Sequence, residues 1–187
     1  MLHMLPHFLS KNLTVSSDFA VSKDRRSCRF DGLYHTLSAS RLPPSGCRKI
    51  TQSFPLRMGE IYALSGDLGV GKTVFTKGFA AGLGITEPVN SPTFTILQVY
   101  EGGRLPLYHF DVYRIEEPEE MEEVGLDDYL FGKGVCLIEW AEQIAECLPE
   151  TTKIIRIRKD LARGLDYRSV DVDESAEGLT EGSKDRR

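Results

Sequence analysis

The sequence predicts a three-layer α/β fold, with a mostly parallel sheet and antiparallel hairpin strands. The strongest indication is a glycine-rich turn at residues 66–71, which lies between a short apolar stretch and a segment with helical periodicity. A second is the unbroken apolar run at residues 135–138, which is typical of a parallel strand covered on both faces. Later segments that alternate apolar and polar residues indicate hairpins.

The first regular elements are a strand and a helix on either side of the glycine turn. An apolar strand at residues 61–64 runs directly into the turn. Phe75, Phe79 and Leu83 then recur every four residues, which places them on one face of a helix. Gly84 is suited to end this helix, because glycine readily adopts the left-handed conformation of a C-cap.

Three further elements complete the predicted order. Two strands joined by a turn at residues 101–104 form a hairpin. An acidic helix follows at residues 116–126, with Pro118 near its first turn and Gly125 as its stop. After the parallel strand, residues 153–173 form a second, terminal hairpin.

The chain has 187 residues, the length of one domain. Residues 56–173 form the predicted folded domain, which contains the glycine turn, and residues 174–187 a solvated tail. Residues 1–55 have weak periodicity and scattered Arg and Ser, which indicates a poorly ordered N-terminal extension. Because this leader is rich in Arg and poor in acids, an organelle transit peptide and a start placed too far upstream remain alternatives.

Charge and cysteine spacing exclude several classes of function. Residues 1–58 carry nine Lys/Arg against three Asp/Glu, and the remainder carries 14 against 25, so the body is too acidic for a broad nucleic-acid-binding face. The four cysteines form no CxxC pair, which argues against a zinc site or a disulfide framework and favours the cytoplasm. No stretch approaches the roughly 18 apolar residues of a membrane span.

The glycine turn carries the motif GxxxxGKT, between a strand and a helix as that motif requires. Glycines allow backbone amides to converge on a phosphate, and the positive end of the following helix adds to the attraction. The motif therefore predicts that residues 56–173 form a P-loop NTPase-like domain that binds a nucleoside triphosphate and Mg²⁺. The residues expected to bind the nucleotide are Gly66, Asp67, Leu68, Gly69, Val70, Gly71, Lys72, Thr73, Val74 and Trp140.

A P-loop needs a carboxylate on the side of the metal ion, and two are candidates. Glu139 directly follows an unbroken apolar strand, so its charge is expected at the carboxyl edge of the sheet, where α/β proteins bind ligands. The alternative for Glu139 is a solvated strand end. Asp111 follows a second strand and is either a metal-side group or a partner for Arg114.

Residues 90–95, NSPTFT, lie between the predicted P-loop helix and the first hairpin. Their hydroxyls suit a loop that senses the γ-phosphate through Thr93, in the manner of a nucleotide switch. An ordinary Ser/Pro turn is the alternative. Trp140, the single tryptophan, is either a packed rim residue or part of the site that begins at Glu139.

Five segments in this order and spacing resemble the TsaE (YjeE) family of small bacterial P-loop ATPases: GDLGVGKTVF, SPTFT, YHFDVYR, GLDDY and LIEWAE. The resemblance covers residues 59–150 and, more loosely, the final hairpin. It implies an ATPase required for the threonylcarbamoyl modification (t6A) of adenosine 37 in tRNAs that read ANN codons. Members bind the TsaD transferase and its paralogue TsaB, and ATP hydrolysis permits repeated turnover of that complex.

The resemblance also implies roles for individual residues. Lys72 and Thr73 take the phosphate and Mg²⁺ roles, and Glu139 is the metal-linked carboxylate. Thr93 is the switch position, while Asp111 and Trp140 support hydrolysis. The expected catalytic residues are therefore Glu139, Asp111, Lys72 and Thr93, and the expected metal ligands are Thr73 and Glu139.

Some features depart from the family pattern. Val74 stands where members commonly have a second threonine, and the missing hydroxyl could weaken nucleotide contacts or slow turnover. Ala141 replaces a common proline. Residues 35–54 match poorly the helix that helps to cover the base, so the adenine contacts are not assigned.

Two other functions are alternatives to the tRNA-modification ATPase. A P-loop small-molecule kinase shares the fold, but the sequence has no Arg-rich lid segment that could close over a phosphoryl acceptor. A nucleotide-gated binding protein with vestigial hydrolysis would explain Val74. A GTPase is disfavoured, because no NKxD-type guanine signature is present.

Overall fold

The structure, a computed structural model, describes residues 37–40, 56–159, 161–162 and 167–173, with residues 37–40 and 167 as backbone only. The rest of the predicted N-terminal extension and the whole predicted tail lie outside the described residues. Seven strands form one sheet, in the order β1-β7-β6-β2-β5-β4-β3. Their bounds are β1 Leu37–Ser40, β2 Ile61–Ser65, β3 Leu97–Tyr100, β4 Leu107–Asp111, β5 Val135–Glu139, β6 Lys153–Lys159 and β7 Tyr167–Asp173.

The four central strands, β6, β2, β5 and β4, are parallel to one another. The strands at both edges are antiparallel to their neighbours: β3 pairs with β4, β7 pairs with β6, and β1 pairs with β7. This arrangement confirms the predicted fold class, including both hairpins. Strand β1 was not predicted, and it lies within the segment assigned to the N-terminal extension.

Helices cover both faces of the sheet. Helix α1 (Lys72–Leu83) packs on one face, while α2 (Glu120–Val124), α3 (Leu126–Leu130) and a 3₁₀ helix (Ala141–Cys147) pack on the other. The predicted helical face of α1 is confirmed, because Phe75, Phe79 and Leu83 lie in the core with α1 ending at Gly84. Gly125 ends α2 as predicted. Helix α3 and the 3₁₀ helix were not predicted.

Strand periodicity divides the core into two apolar clusters. On β5, Val135 and Leu137 face α1, whereas Cys136 and Ile138 face α2 and α3. All five residues of β5 are buried, as the continuous apolar run predicted for a parallel strand. Among the described residues, no helix has the length and apolar character needed to span a membrane.

Candidate nucleotide-binding site

Three parallel strands end at the same edge of the sheet and deliver the predicted site residues there. Strand β2 leads into the P-loop, β4 ends at Asp111 and β5 ends at Glu139. Asp111 and Glu139 are register partners, and Leu64 at the end of β2 is paired with Glu139. The carboxyl edge of a parallel sheet is where α/β proteins bind ligands. Both candidate carboxylates are therefore next to the P-loop.

The P-loop backbone has the geometry that its glycines permit. Gly66, Gly69 and Gly71 have φ angles of 149°, 69° and 108°, values that residues with a Cβ atom rarely adopt. A Cβ on Gly66 would lie 2.4 Å from the carbonyl oxygen of Ile157 in β6. The loop thus packs its backbone directly against the sheet at this position.

The loop ends at the N-terminus of α1. Gly71 is the N-cap of α1 and has no side chain. The first-turn N–H groups of α1 therefore receive no hydrogen bond from a capping side chain. Such groups attract phosphate, and the helix dipole favours negative charge at the same end. The loop therefore fits the phosphates of a nucleotide.

The side chains of the loop differ in exposure. Leu68 is 71% exposed, whereas Val70 is buried against the core. The Val70 carbonyl accepts a hydrogen bond from Nε of Arg168 in β7 at 3.0 Å, which ties the loop to the edge of the sheet. Asp67 is exposed and Val74 is half-buried. Neither Leu68 nor Val70 offers a polar side chain, so their expected contribution to nucleotide binding rests with the backbone.

Lys72 lies inside the loop. Its Nζ donates to the carbonyl oxygens of Gly66 and Asp67, at 2.5 and 3.1 Å. The same ammonium group lies 3.4 Å from the ring centroid of Trp140, a cation–π contact. These contacts hold the positive charge of Lys72 inside the loop that is expected to bind phosphate.

Glu139 is 2% exposed and surrounded by hydrogen-bond donors. Its Oε2 accepts a hydrogen bond from the Thr73 hydroxyl at 3.4 Å, and its Oε1 lies 3.1 Å from the Thr76 hydroxyl and 3.0 Å from Nε2 of His109. The alternative of a solvated strand end does not describe this side chain. Carboxylate and hydroxyl oxygens suit Mg²⁺, so Thr73 and Glu139 fit the metal role predicted for them.

Within the described residues, no group of three or more His, Cys, Asp or Glu side chains could hold a metal ion. Mg²⁺ commonly binds through one or two protein groups together with substrate phosphates and water. Thr73 and Glu139 would therefore hold the ion jointly with the nucleotide.

Asp111 anchors the segment that contains Thr93. Its Oδ2 accepts hydrogen bonds from the hydroxyls of Ser91 and Thr93, at 2.5 and 2.6 Å. The side chain is 3% exposed. Its suggested partner Arg114 instead lies over the ring of Phe94, 4.4 Å from the centroid. Asp111 therefore links the predicted switch segment to the end of β4.

The predicted switch segment, residues 90–95, forms a tight turn. The backbone N–H groups of Thr95 and Ile96 both donate to the carbonyl of Pro92. Ile96 has a φ of 63°, which is strained for a β-branched residue. Phe94 is 83% exposed on this turn. Backbone strain at a loop that contacts a buried carboxylate is typical of a functional segment.

Trp140 is both a packed rim residue and a part of the candidate site, the two alternatives considered for it. It is 4% exposed and its ring packs against Tyr113, with centroids 4.9 Å apart, as expected of a rim residue. It also contacts Lys72, inside the predicted site. Its φ of 65° is left-handed, so the chain turns sharply directly after Glu139.

Three residues of the site were not predicted individually: Ser91, Thr76 and His109. Thr76 lies one helical turn after Thr73, a spacing that places both on the same face of α1. His109 precedes Asp111 by two residues, so both side chains lie on the same face of β4. The motif and the strand period indicate which faces carry Thr76 and His109, but the meeting of these side chains depends on strand order.

A groove on the opposite face of the sheet has different chemistry. It is lined by acidic side chains of α2, α3 and the 3₁₀ helix, with Cys147 among them. Burial raises the pKa of the Cys147 thiol, and Glu146, Glu119, Asp127 and Glu122 raise it further. Such a concentration of carboxylates repels phosphate, so the donors of the P-loop, not this groove, define the candidate nucleotide site.

Known proteins with similar sequences belong to one family. The family model "Threonylcarbamoyl adenosine biosynthesis protein TsaE" matches residues 45–166. The tRNA threonylcarbamoyladenosine biosynthesis protein TsaE of Bacillus subtilis (strain 168) is 57% identical over 111 residues, which are 59% of this chain and 68% of the relative. The protein of the same name from Treponema pallidum (strain Nichols) is 50% identical over 103 residues, or 55% and 76% of the two chains.

A solved structure is similar as well. The crystal structure of Bacillus subtilis YdiB matches with a TM-score of 0.60 and 41% sequence identity, over 81% of this chain and 95% of the YdiB chain. The family model covers more than half of the chain, and the similar solved structure supports the same fold. The chain belongs to the TsaE family of threonylcarbamoyl adenosine biosynthesis proteins.

Proposed function

We propose that the chain is a Mg²⁺-dependent ATPase and that its nucleotide cycle acts on the TsaB and TsaD proteins during t6A formation in tRNA. The observation that supports this most directly is the meeting of the P-loop, Glu139 and Asp111 at one edge of the sheet. The role of the family in threonylcarbamoyl adenosine biosynthesis supports the pathway. The free thiols of Cys136 and Cys147 support action in the reducing cytoplasm.

Phosphate binding would begin at the loop. The first-turn N–H groups of α1 and those of the loop would donate hydrogen bonds to the phosphate oxygens. The Lys72 ammonium would exchange the carbonyl oxygens of Gly66 and Asp67 for phosphate oxygens. The charge that contacts the loop carbonyls would thereby become available to the nucleotide. Leu68 and Val70 limit this step to backbone contacts at their positions.

Hydrolysis would depend on the two buried carboxylates. A Mg²⁺ ion held by Thr73 and Glu139 would neutralise charge on the phosphates. Glu139 is kept in place by its hydrogen bonds, so its orientation is set before substrate binds. Asp111 fixes the Thr93 hydroxyl, which would sense the γ-phosphate.

The switch segment would connect the nucleotide to a partner protein. Thr93 is bonded to buried Asp111, whereas its neighbour Phe94 is 83% exposed. A change at Thr93 on phosphate release would therefore move an apolar side chain on the surface. That arrangement suits an ATPase whose turnover depends on TsaB and TsaD.

The test is phosphate release by the purified chain, alone and with TsaB and TsaD. We expect slow release alone and a changed rate with both partners. Lys72→Ala should abolish useful ATP binding, while Lys77→Ala, an exposed lysine on the same helix, should behave as the parent chain.

Three outcomes would contradict the proposal in different ways. A rate indifferent to the partners would leave an ATPase without the proposed role. Tight ATP binding with no phosphate release under any condition would favour a nucleotide-gated binding protein. Transfer of the γ-phosphate to a small molecule would favour a kinase.

A further inference from the structure

The buried carboxylate of Glu139 receives hydrogen bonds of unequal quality. The Thr73 hydroxyl is 3.4 Å from Oε2, at the long end of hydrogen-bond distances. The Thr76 hydroxyl is 3.1 Å from Oε1, but it is also 3.1 Å from the carbonyl of Lys72. A hydroxyl has one proton, so Thr76 divides it between these two acceptors.

His109 is the remaining neighbour of this carboxylate. Its Nε2 is 3.0 Å from Oε1 of Glu139, and the imidazole is fully buried in the middle of β4. The other ring nitrogen, Nδ1, is buried and has no hydrogen-bond partner. A buried N–H without a partner is rarer than a buried acceptor without one, which places the proton on Nε2.

The two oxygens of Glu139 therefore have separate tasks. Oε1 is directed towards His109 and Thr76 in the interior, whereas Oε2 is directed towards Thr73, the other predicted metal ligand. A carboxylate fixed at one oxygen cannot rotate its second oxygen away from the metal side. Hydrogen-bond partners of a metal-binding group set its orientation in this way.

We propose that His109 is a positioning residue for the ATPase reaction, which it serves by donating its Nε2–H to Oε1 of Glu139. This inference rests on the proposed function, because Glu139 acts on Mg²⁺ only if the chain binds the ion with ATP. His109 is fully buried, so we expect no contact between it and the nucleotide. Its removal should therefore lower turnover and leave ATP affinity largely intact.

The kinetic test compares His109→Leu, which removes the donor, with His109→Gln, whose amide N–H can replace it. Loss of an orienting partner typically lowers activity about 10- to 100-fold, so we expect kcat of the Leu variant to fall by that factor. The Kd for a fluorescent ATP analogue should change less than about threefold, and the Gln variant should recover most of the lost kcat.

The matched control is Phe110→Leu. Phe110 is the next residue on β4, is fully buried, and faces the opposite side of the sheet. This variant should unfold at lower denaturant concentration but keep its kcat. If His109→Leu keeps kcat within about twofold of the parent, or if Phe110→Leu loses as much as His109→Leu, His109 has no positioning role.

A second measurement needs no nucleotide and so separates this inference from the proposed function. Nitrogen-15 NMR of the free protein should show a proton on Nε2 of His109. Glu139→Ala should shift the Nε2 resonance, because its acceptor is lost. A proton on Nδ1 with none on Nε2 would overturn the inference even if the chain hydrolyses ATP. The expected spectrum without hydrolysis would contradict the proposed function and leave the hydrogen bond from His109 to Glu139 in place.

Discussion

Asp111 and Glu139 are register partners at the ends of neighbouring strands, but their hydrogen-bond partners differ. The Glu139 carboxylate is hydrogen-bonded to Thr76 of α1 and to His109. The Asp111 carboxylate is hydrogen-bonded to Ser91 and Thr93 of the predicted switch segment. One carboxylate is therefore hydrogen-bonded to Thr73, the predicted metal ligand, and the other to Thr93, the predicted γ-phosphate sensor. This division supports Glu139 as the metal-side group and Asp111 as the anchor of the switch.

Replacement of each carboxylate by its amide tests this division. Glu139→Gln keeps the shape but removes the charge, so we expect phosphate release to fall by at least about 100-fold, with ATP affinity changed less than about threefold. Release is measured by a coupled phosphate assay and affinity by a fluorescent ATP analogue. Asp111→Asn is the comparison. If affinity and hydrolysis fall equally in Glu139→Gln, the metal-side role belongs to Asp111.

At the scale of elements, the strand–loop–helix unit from β2 to α1 was predictable from local sequence. The spacing of glycine, lysine and threonine in GxxxxGKT marks a loop between a strand and a helix. The buried strand β5 and the position of Glu139 followed from its unbroken apolar run. Helix α3 and the 3₁₀ helix were missed, because elements of five and seven residues are too short for a periodic signal. The pairing of His109 with Glu139 depends on strand order, which no local pattern specifies.

The close packing of the P-loop against β6 makes a sharp prediction for Gly66→Ala. The new Cβ would lie 2.4 Å from the backbone oxygen of Ile157, and the φ of 149° is unfavourable for alanine. We expect the free energy of unfolding to fall by about 2 to 4 kcal/mol, and ATP binding to be lost as the loop amides move. Urea denaturation and a binding titration measure the two effects.

Gly59→Ala is the control for backbone strain alone. Gly59 also has a positive φ, of 78°, but a Cβ there would meet nothing within 4 Å. This variant should lose only about 1 kcal/mol and bind ATP normally. Equal denaturation midpoints for the two variants would show that contact with Ile157 does not restrict the loop.

At the scale of the molecule, the sheet separates two chemical environments. The face covered by α1 becomes polar towards the carboxyl edge, where Lys72 and Glu139 lie. The opposite face, under α2, α3 and the 3₁₀ helix, keeps an apolar core beneath the acidic groove. The predicted phosphate site and the acidic groove thus lie on different sides of one sheet. Cys136 lies in the central strand β5 on the side of α2 and α3.

Because Cys136 is buried, we expect the folded molecule to lose stability at alkaline pH. Burial raises the pKa of its thiol from 9.0 to about 12. Below pH 9 the thiol is protonated in both the folded and the unfolded chain. Between pH 9 and 12 only the unfolded chain ionises, so stability is lost as pH rises. We expect a loss of about 2 kcal/mol between pH 9 and 10.5, since each pKa unit corresponds to about 1.4 kcal/mol.

The measurement is urea denaturation at several pH values from 8 to 10.5, with Cys136→Ala as the matched variant. Other groups titrate in this range, but they are common to both proteins, so the difference between the two isolates the thiol. The variant should be less stable at pH 8, because the Sγ packing and its bond to the Tyr129 carbonyl are lost. Its disadvantage should shrink as pH rises. A constant difference would mean that Cys136 ionises equally easily in both states, and that β5 is not sealed from water.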